Sequence, residues 1–360
     1  MKRIRKAAAL LAAAFFLFPV KAAPEVSARS ALLLDAGSGR VLYEKDADRR
    51  SLIASTTKIL TGLLVCEHGD LDRIVTVPPE AVGVEGSSMY LRSGERLTVR
   101  DLLYGMMLRS GNDAAVALAV CTCGSVERFA QEMNRRAQEL GMRDSHFVNP
   151  NGLDAEEHYS TARDLSVLAA AAMENEDFRS VVSTRSITVG ERVLSNHNKL
   201  LWRYEGAVGV KTGYTRAAGR ILVSAAERDG RRLIAVTVSD PDDWRDHTAL
   251  LDWGFAHYQK TVLLEAGQTL ARTAVLGGTR PQTALFVPEE VSYPLAEAEE
   301  VRIRLQLPAV IFAPTPARQV GTAEILVDGK PVVQIPVCTQ EVPAAPPEKK
   351  GLLARLFGES

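Results

Sequence analysis

Two short apolar runs near the start of the chain predict a β-hairpin. Residues 31–34 (Ala-Leu-Leu-Leu) and 41–43 (Val-Leu-Tyr) flank the sequence Asp-Ala-Gly-Ser-Gly at 35–39. A glycine-containing loop between two apolar runs is typical of antiparallel strands joined by a tight turn.

The middle of the chain carries helical patterns. Four apolar residues recur at helical spacing after residue 58, namely Ile59, Leu60, Leu63 and Leu64. Residues 114–120 are apolar on all sides, as in a buried helix. A further helix is predicted from Asp164 onward, with Ser160 or Thr161 near its N-cap.

Strand patterns return later in the chain. Residues 206–211, 221–226 and 233–238 have β-rich compositions, and Asp229-Gly230 lies between the last two as a hairpin signal. A helix is predicted over 244–255. Strands first, helices in the middle and hairpin-linked strands last predict an α+β fold, with an antiparallel sheet flanked by helices.

A smaller all-β domain is predicted from about residue 261. Apolar residues at 301, 303, 305 and 307 alternate with polar ones, which predicts a half-buried strand, and Asp328-Gly329 separates two further apolar runs. Residues 342–347 form a proline-rich linker. Beyond it, Leu352, Leu353, Leu356 and Phe357 share one face of a helix, beside three basic residues. That segment is either an interfacial membrane foot or a solvated tail.

The first 23 residues have the layout of a secretory signal peptide. Basic residues at 2, 3, 5 and 6 precede an apolar run over 7–18, and small residues follow at 22 and 23. The alternative is an uncleaved anchor, although the run is short for spanning a bilayer. We therefore expect an exported protein with domains at 24–260 and 261–340, followed by the linker and tail at 341–360.

Composition limits the function classes. The formal net charge of −1 gives no electrostatic reason to expect a nucleic-acid partner. The four cysteines do not form a metal-binding pattern or a disulfide scaffold, and we expect buried thiols. A link from Cys66 to Cys121 or Cys123 stays open if their helices touch. No metal or other cofactor is predicted.

Three short motifs carry the candidate chemistry. They are Ser55-Thr-Thr-Lys58, Ser110-Gly-Asn112 and Lys211-Thr212-Gly213, in that order. Individually each is weak, since a Ser and a Lys three residues apart occur about once by chance in a chain of this length. Alone, Ser55 would be a helix N-cap and Lys58 a solvated side chain. Their joint order on the predicted elements favours a serine acyl-enzyme.

The spacing explains how the serine could be activated. With Ser55 at the start of a helix, Lys58 lies one turn on, over the same face. A serine hydroxyl needs a base, and an amine can serve only when neutral. Burial and a nearby cation depress a lysine pKa, and Lys211 is the expected cation.

The chain resembles the serine D-alanyl-D-alanine carboxypeptidases among the low-molecular-mass penicillin-binding proteins. The likeness runs from about residue 31 to 258 and includes the segments 86–91 (Gly-Ser-Ser-Met-Tyr-Leu), 146–153 and 158–161. It implies a β-lactamase/transpeptidase-like domain followed by a small all-β domain. The implied substrate is the peptide stem of peptidoglycan, with β-lactams as covalent inhibitors.

The resemblance also implies a role for each matched residue. Ser55 would be acylated by the carbonyl of the penultimate D-alanine, with Lys58 as base and Ser110 relaying a proton to the departing amine. The substrate would be held by the residues Asn112 (peptide backbone), Lys211 and Thr212 (terminal carboxylate), Gly213 (close approach of the substrate strand) and Arg245 (a further carboxylate candidate). The N–H groups of Ser55 and Tyr214 would form the oxyanion hole.

Three other functions are compatible with parts of this sequence. A β-lactamase shares the Ser-Lys machinery, but the class A type carries Asp where this chain has Gly111, and a glutamate-bearing loop where it has 149–152. An endopeptidase acting on wall cross-links shares the scaffold. A catalytically idle wall-binding protein would not require all three motifs. His197 could tune substrate affinity, while His146 and His158 are expected to be structural.

Overall fold

The computed structural model describes residues 22–346. The predicted signal peptide falls almost entirely outside these residues, and so does the predicted membrane foot. In the described part, no helix is both long enough and apolar enough to cross a membrane.

The described residues form eight α-helices and seventeen β-strands. The helices are α1 Lys58–His68, α2 Val99–Leu108, α3 Asn112–Cys123, α4 Val126–Glu139, α5 Ala162–Glu174, α6 Glu176–Ser183, α7 Leu200–Arg203 and α8 Asp243–His257. The strands of the first domain are β1 Ser30–Asp35, β2 Arg40–Lys45, β3 Ile74–Thr76, β4 Arg96–Thr98, β5 Ser186–Val189, β6 Arg192–Ser195, β7 Ala207–Thr215, β8 Gly219–Arg228 and β9 Arg231–Val238. Those that follow are β10 Tyr258–Leu264, β11 Thr269–Leu276, β12 Gln282–Phe286, β13 Val291–Ala296, β14 Val301–Gln306, β15 Val310–Phe312, β16 Arg318–Val327 and β17 Lys330–Thr339.

A five-stranded antiparallel sheet organises the first domain, in the order β2-β1-β9-β8-β7. The predicted fold class is confirmed. Asp229 and Gly230 join β8 to β9 with positive φ values of 50° and 72°, as a two-residue hairpin turn requires. Because β7 ends the strand order, its outer edge is unpaired within the described residues.

Both faces of this sheet are covered, as the alternation along β1 shows. Leu32 and Leu34 pack in the core formed with the helices α1 to α6, whereas Leu33 packs against α8 on the opposite face. All three side chains are almost fully buried. The uninterrupted apolar run at 31–34 therefore reflects a strand buried on both sides.

The all-β domain is built on a six-stranded sheet in the order β14-β16-β17-β12-β11-β15, beside the pair β10-β13. The predicted all-β architecture is confirmed. The predicted half-burial of β14 holds only at the two ends of the alternating run, where Val301 and Leu307 pack against the domain core. Between them Ile303 and Leu305 are 41% and 39% exposed. In this sheet β14 is an edge strand paired only with β16, so its middle is not covered.

One arginine joins the two domains. The guanidinium of Arg40, at the start of β2, donates to the Pro294 carbonyl at 2.5 Å and to the Glu299 carboxylate at 2.9 Å. It also lies over the rings of Tyr258 and Tyr293, 4.9 and 5.2 Å from their centroids. The predicted boundary at residue 260 falls inside β10, which follows α8 directly.

All four cysteines are free thiols, so the possible link from Cys66 to Cys121 or Cys123 is not formed. Cys66 is buried, and burial raises the pKa of its thiol to about 12. A raised pKa keeps this thiol protonated. The expectation of buried thiols holds for Cys66, whereas Cys121, Cys123 and Cys338 are only partly buried.

Two buried histidines couple folding to pH. His158 accepts a hydrogen bond from the Val148 N–H at Nδ1, so its Nε2 carries the proton facing Thr57 Oγ1 at 2.7 Å. His247 lies between the hydroxyls of Ser224 and Thr237. Burial is the main cause that lowers the pKa of His158 to about 4 and that of His247 to about 3.

We predict that, near pH 5, these two histidines together bind about two protons when the protein unfolds. Both are neutral in the folded state but protonated in the unfolded chain below about pH 6.5. Their contribution to stability should therefore be fully present above pH 6.5 and be lost as the pH drops toward 4, by about 2.7 kcal/mol per pH unit near pH 5. His197, whose pKa is also lowered to about 4, acts in the same direction. Urea unfolding from pH 4.5 to 7.5 measures this slope. A flat or inverted profile in this range would contradict the assignment.

Candidate active site

Ser55 lies in a short 3-10 turn rather than in the first turn of the α-helix. The turn spans Ala54–Thr57 and leads directly into α1, whose first residue is Lys58. Ala54 has a left-handed φ of 46°, uncommon for a residue with a side chain. This turn leaves Ser55 half-buried and accessible while Lys58 is enclosed.

The Lys58 amine is buried and bonded on three sides. Its Nζ lies 3.0 Å from Ser55 Oγ and donates to Asn112 Oδ1 at 2.6 Å and to the carbonyl of Asn151. The sequence spacing thus places the amine and the Ser55 hydroxyl within hydrogen-bond distance. With both N–H groups of a neutral amine used by Asn112 and Asn151, its lone pair is left to accept the Ser55 O–H.

The environment of Lys58 favours the neutral amine. Burial is the largest cause that lowers the pKa of Lys58 well below its usual value, and the positive charge of Lys211 lowers it further. The carboxylate of Asp113 acts in the opposite direction as a smaller contribution. Both of the causes expected from the sequence therefore act on this amine.

The second motif lines the site at the start of α3. Ser110 is buried with a left-handed φ of 61°, and the Gly111 N–H donates to the Gly105 carbonyl at 3.2 Å. A Cβ at Gly111 would lie 3.3 Å from that same carbonyl oxygen. The sharp turn between α2 and α3 aims Asn112 at Lys58.

The third motif lies on β7, the edge strand of the sheet. A Cβ at Gly213 would lie 3.2 Å from the Ile53 carbonyl and 3.3 Å from the Ser55 nitrogen. The glycine therefore allows β7 to approach the Ser55 turn, whereas the sequence suggested close approach of the substrate strand. Thr212 is half-buried and Tyr214 is 65% exposed.

Lys211 is buried beside this edge, and its Nζ donates to the carbonyl of Thr212 at 2.8 Å. Burial lowers the pKa of Lys211 to about 7. A bound carboxylate would favour the charged ammonium and raise this pKa again.

The loop 149–153 is a part of the site that sequence reasoning did not assign. Its Asn151 carbonyl accepts from Lys58, and the Pro150 carbonyl accepts from Thr61 at 2.7 Å. A Cβ at Gly152, whose φ is 84°, would lie only 1.9 Å from the Ala54 carbonyl oxygen. The Asn-Pro-Asn-Gly sequence was the available signal, since such residues favour tight turns.

Two further basic side chains border the site, because the charges of Lys211 and Arg109 both act on His197. Burial, with the charges of Lys211 and Arg109, lowers the pKa of His197 to about 4. The His197 N–H donates to the Leu108 carbonyl at 3.1 Å, which places this loop beside the second motif. Arg109 was not predicted from the sequence, although it directly precedes Ser110.

The contacts of Arg245 do not support its predicted role in binding the substrate carboxylate. Its guanidinium pairs with Asp242 and Asp246 at 3.3 and 2.9 Å. Arg245 lies on α8, the helix that covers the sheet face opposite α1. Two carboxylates at the start of α8 therefore hold this guanidinium.

Comparison with known proteins agrees with this architecture. Residues 19–242 match the family described as D-alanyl-D-alanine carboxypeptidase, and residues 258–343 match the C-terminal domain of penicillin-binding protein 5. The D-alanyl-D-alanine carboxypeptidase DacF of Bacillus subtilis is 34% identical over 87% of this chain and 85% of its own length. DacD of Escherichia coli is 34% identical over 88% and 87%.

A solved structure of penicillin-binding protein 5 from Haemophilus influenzae has a TM-score of 0.78 and 30% identity. The match covers 89% of this chain and 99% of that one. The fold and the Ser-Lys site thus define a serine acyl-transfer enzyme of the penicillin-binding class. The chain belongs to the D-alanyl-D-alanine carboxypeptidase family, and its activity is that of a serine-type D-Ala-D-Ala carboxypeptidase.

Two glycine substitutions test the packing of the 149–153 loop. Gly152→Ala adds a Cβ against the Ala54 backbone, whereas Gly141→Ala adds one in open space at a similar φ of 79°. We predict that the free energy of unfolding falls by about 1–2 kcal/mol in both variants, because alanine is strained in the left-handed conformation. In Gly152→Ala it falls further, because the new Cβ also meets the Ala54 backbone. Urea unfolding and the rate of penicillin acylation measure the difference. Equal effects of the two would show that the loop does not support the Ser55 turn.

Proposed function

We propose that Ser55 is the nucleophile and that neutral Lys58 is its base. The observation that carries this is the buried amine 3.0 Å from Ser55 Oγ. The Ser55 oxygen attacks the carbonyl of the penultimate D-alanine while its proton passes to Lys58. The C–N bond to the terminal D-alanine then breaks, and that amine takes a proton through Ser110. Water hydrolyses the resulting ester.

The unpaired edge of β7 supports the proposed binding mode for the peptide. An extended stem can add to this edge as a further strand, with main-chain hydrogen bonds fixing its position. Lys211 and Thr212 then bind the terminal carboxylate, and Asn112 the peptide backbone. The close approach of Gly213 to the Ser55 nitrogen supports an oxyanion hole formed by the N–H groups of Ser55 and Tyr214.

The substrate of this reaction is the peptidoglycan stem pentapeptide, and removal of its last residue limits cross-linking. β-Lactams acylate the same serine. The signal-like first 23 residues support export to the outer face of the cytoplasmic membrane. The basic, amphipathic sequence after residue 347 supports peripheral membrane contact.

Replacement of the nucleophile tests the proposal. We predict that Ser55→Ala abolishes both penicillin labelling and D-alanine release from diacetyl-L-Lys-D-Ala-D-Ala, with the fold retained. Ser38→Ala, in the β1–β2 hairpin at the far end of the sheet, is the control. Turnover by folded Ser55→Ala protein would refute the mechanism. Labelling of the unaltered enzyme without release would indicate an endopeptidase or an idle binder, and rapid penicillin loss a β-lactamase.

Removing the positive charge of Lys211 should shift the pH dependence of acylation. Lys211→Gln eliminates a positive charge that lowers the pKa of Lys58, so that pKa rises. A higher pH is then needed to obtain the neutral amine, and the acid limb of the penicillin acylation rate moves to higher pH.

The midpoint of this limb is read separately from the overall rate, which also falls because Lys211 binds the carboxylate. Lys45→Gln, which removes a lysine bonded to the Val26 carbonyl, is the matched control. An acid limb that stays in place, or moves to lower pH, would show that Lys211 does not tune Lys58.

A further inference from the structure

The loop at residues 85–91 is fixed to the second catalytic motif. The Asn112 N–H donates to the Ser87 carbonyl at 2.7 Å, and its side-chain amide donates to the Glu85 carbonyl at 2.5 Å. These bonds place one end of the loop directly beside Asn112, which in turn contacts Lys58. The loop therefore borders the reaction centre.

The other end of the loop is organised by a buried carboxylate. Asp113, 1% exposed, accepts from Ser88 Oγ at 2.6 Å and from the N–H groups of Met89 and Leu91, each at 3.1 Å. The side chains of Met89 and Leu91 are 3% and 5% exposed. Two inward-pointing apolar residues thus anchor the loop on either side of Tyr90.

Tyr90 points the other way, into solvent. It is 81% exposed and has a left-handed φ of 60°. The guanidinium of Arg192, paired with Glu95, donates to the carbonyls of Met89 and Tyr90 at 2.8 and 3.0 Å. The ring is therefore presented to solvent by a backbone fixed on both sides.

The backbone conformation of Tyr90 costs free energy, and burial of its side chain does not offset that cost. A left-handed conformation is unfavourable for a bulky residue, by about 1–2 kcal/mol, and an exposed aromatic ring recovers little of it by burial. Backbone strain of this kind concentrates at functional sites. Among the seven other described non-glycine residues with a positive φ, Ala54 and Ser110 flank or form the catalytic motifs. Four of the remaining five are aspartates, a residue type that tolerates this conformation.

We propose that Tyr90 is a specificity-determining residue that contacts the side chain of the third stem residue. This rests on the proposed function. The third residue directly precedes the D-alanine that acylates Ser55, so its side chain extends from the groove beside Asn112. Tyr90 is three residues from Ser87 and thus within about 11 Å of it along the chain. Its ring offers an apolar surface to a long aliphatic side chain, which an alanine cannot reach.

The test compares two peptides that differ at the third residue. They are acetyl-L-Lys-D-Ala-D-Ala and acetyl-L-Ala-D-Ala-D-Ala, with kcat/KM measured from released D-alanine. We predict that Tyr90→Ala lowers the preference for the lysine peptide about threefold to tenfold, as expected for losing partial burial of a few methylene groups. Tyr90→Phe keeps the ring and should keep the preference. Phe312→Ala, which removes another exposed aromatic ring (66% exposed) in the β domain, is the control.

Three results would overturn the proposal. These are an unchanged lysine preference in Tyr90→Ala, an equal loss of kcat/KM with both peptides, and a loss of preference in Tyr90→Phe equal to that in Tyr90→Ala. Penicillin labelling and D-alanine release by the unaltered enzyme are measured first. Their absence would reject the proposed function itself, whereas an active enzyme with an unchanged preference in the variant would reject only the role of Tyr90.

Discussion

Burial of the Lys58 amine is the constraint on which the rest of the site depends. An ammonium group removed from water is strongly destabilised unless it is paired with an opposite charge. Burial therefore lowers the pKa of a lysine, because it favours the neutral amine. Here the amine donates to Asn112 and to the Asn151 carbonyl and lies within hydrogen-bond distance of the Ser55 hydroxyl, three groups from different parts of the chain. The 3-10 turn, the start of α3 and the 149–153 loop must all be in position for these bonds to form together.

The neighbouring residues can be understood from this requirement. Gly152 and Gly213 lack side chains where a Cβ would meet the backbone around Ser55, so the loop and the edge strand can close on the turn. Lys211 adds a second positive charge that disfavours protonation of Lys58. The site combines a low-pKa base with a cationic, strand-edge groove, which suits an extended peptide ending in a carboxylate.

Much of this could be predicted from the sequence, because periodicity and motif spacing encode it. The Asp-Gly hairpin and the late strands predicted the antiparallel sheet. The three-residue spacing of Ser55 and Lys58 predicted the contact between their side chains. The Asn151 carbonyl could not be predicted, since any residue supplies a backbone oxygen. The ion-pair partners of Arg245 could not be predicted because they depend on the face α8 presents, and the exposure of Ile303 and Leu305 could not because alternation does not show how far another layer covers a strand.

Direct titration of the Lys58 amine tests whether this amine is neutral in the folded enzyme. The 13Cε resonance of lysine reports the protonation of Nζ, and comparison of labelled unaltered protein with Lys58→Gln identifies the signal. We predict a midpoint well below the usual lysine value of about 10.4, with the amine substantially neutral at the pH of the reaction. A midpoint near 10 in the folded enzyme would mean that Lys58 is a charged structural group, and Ser55 would require a different base.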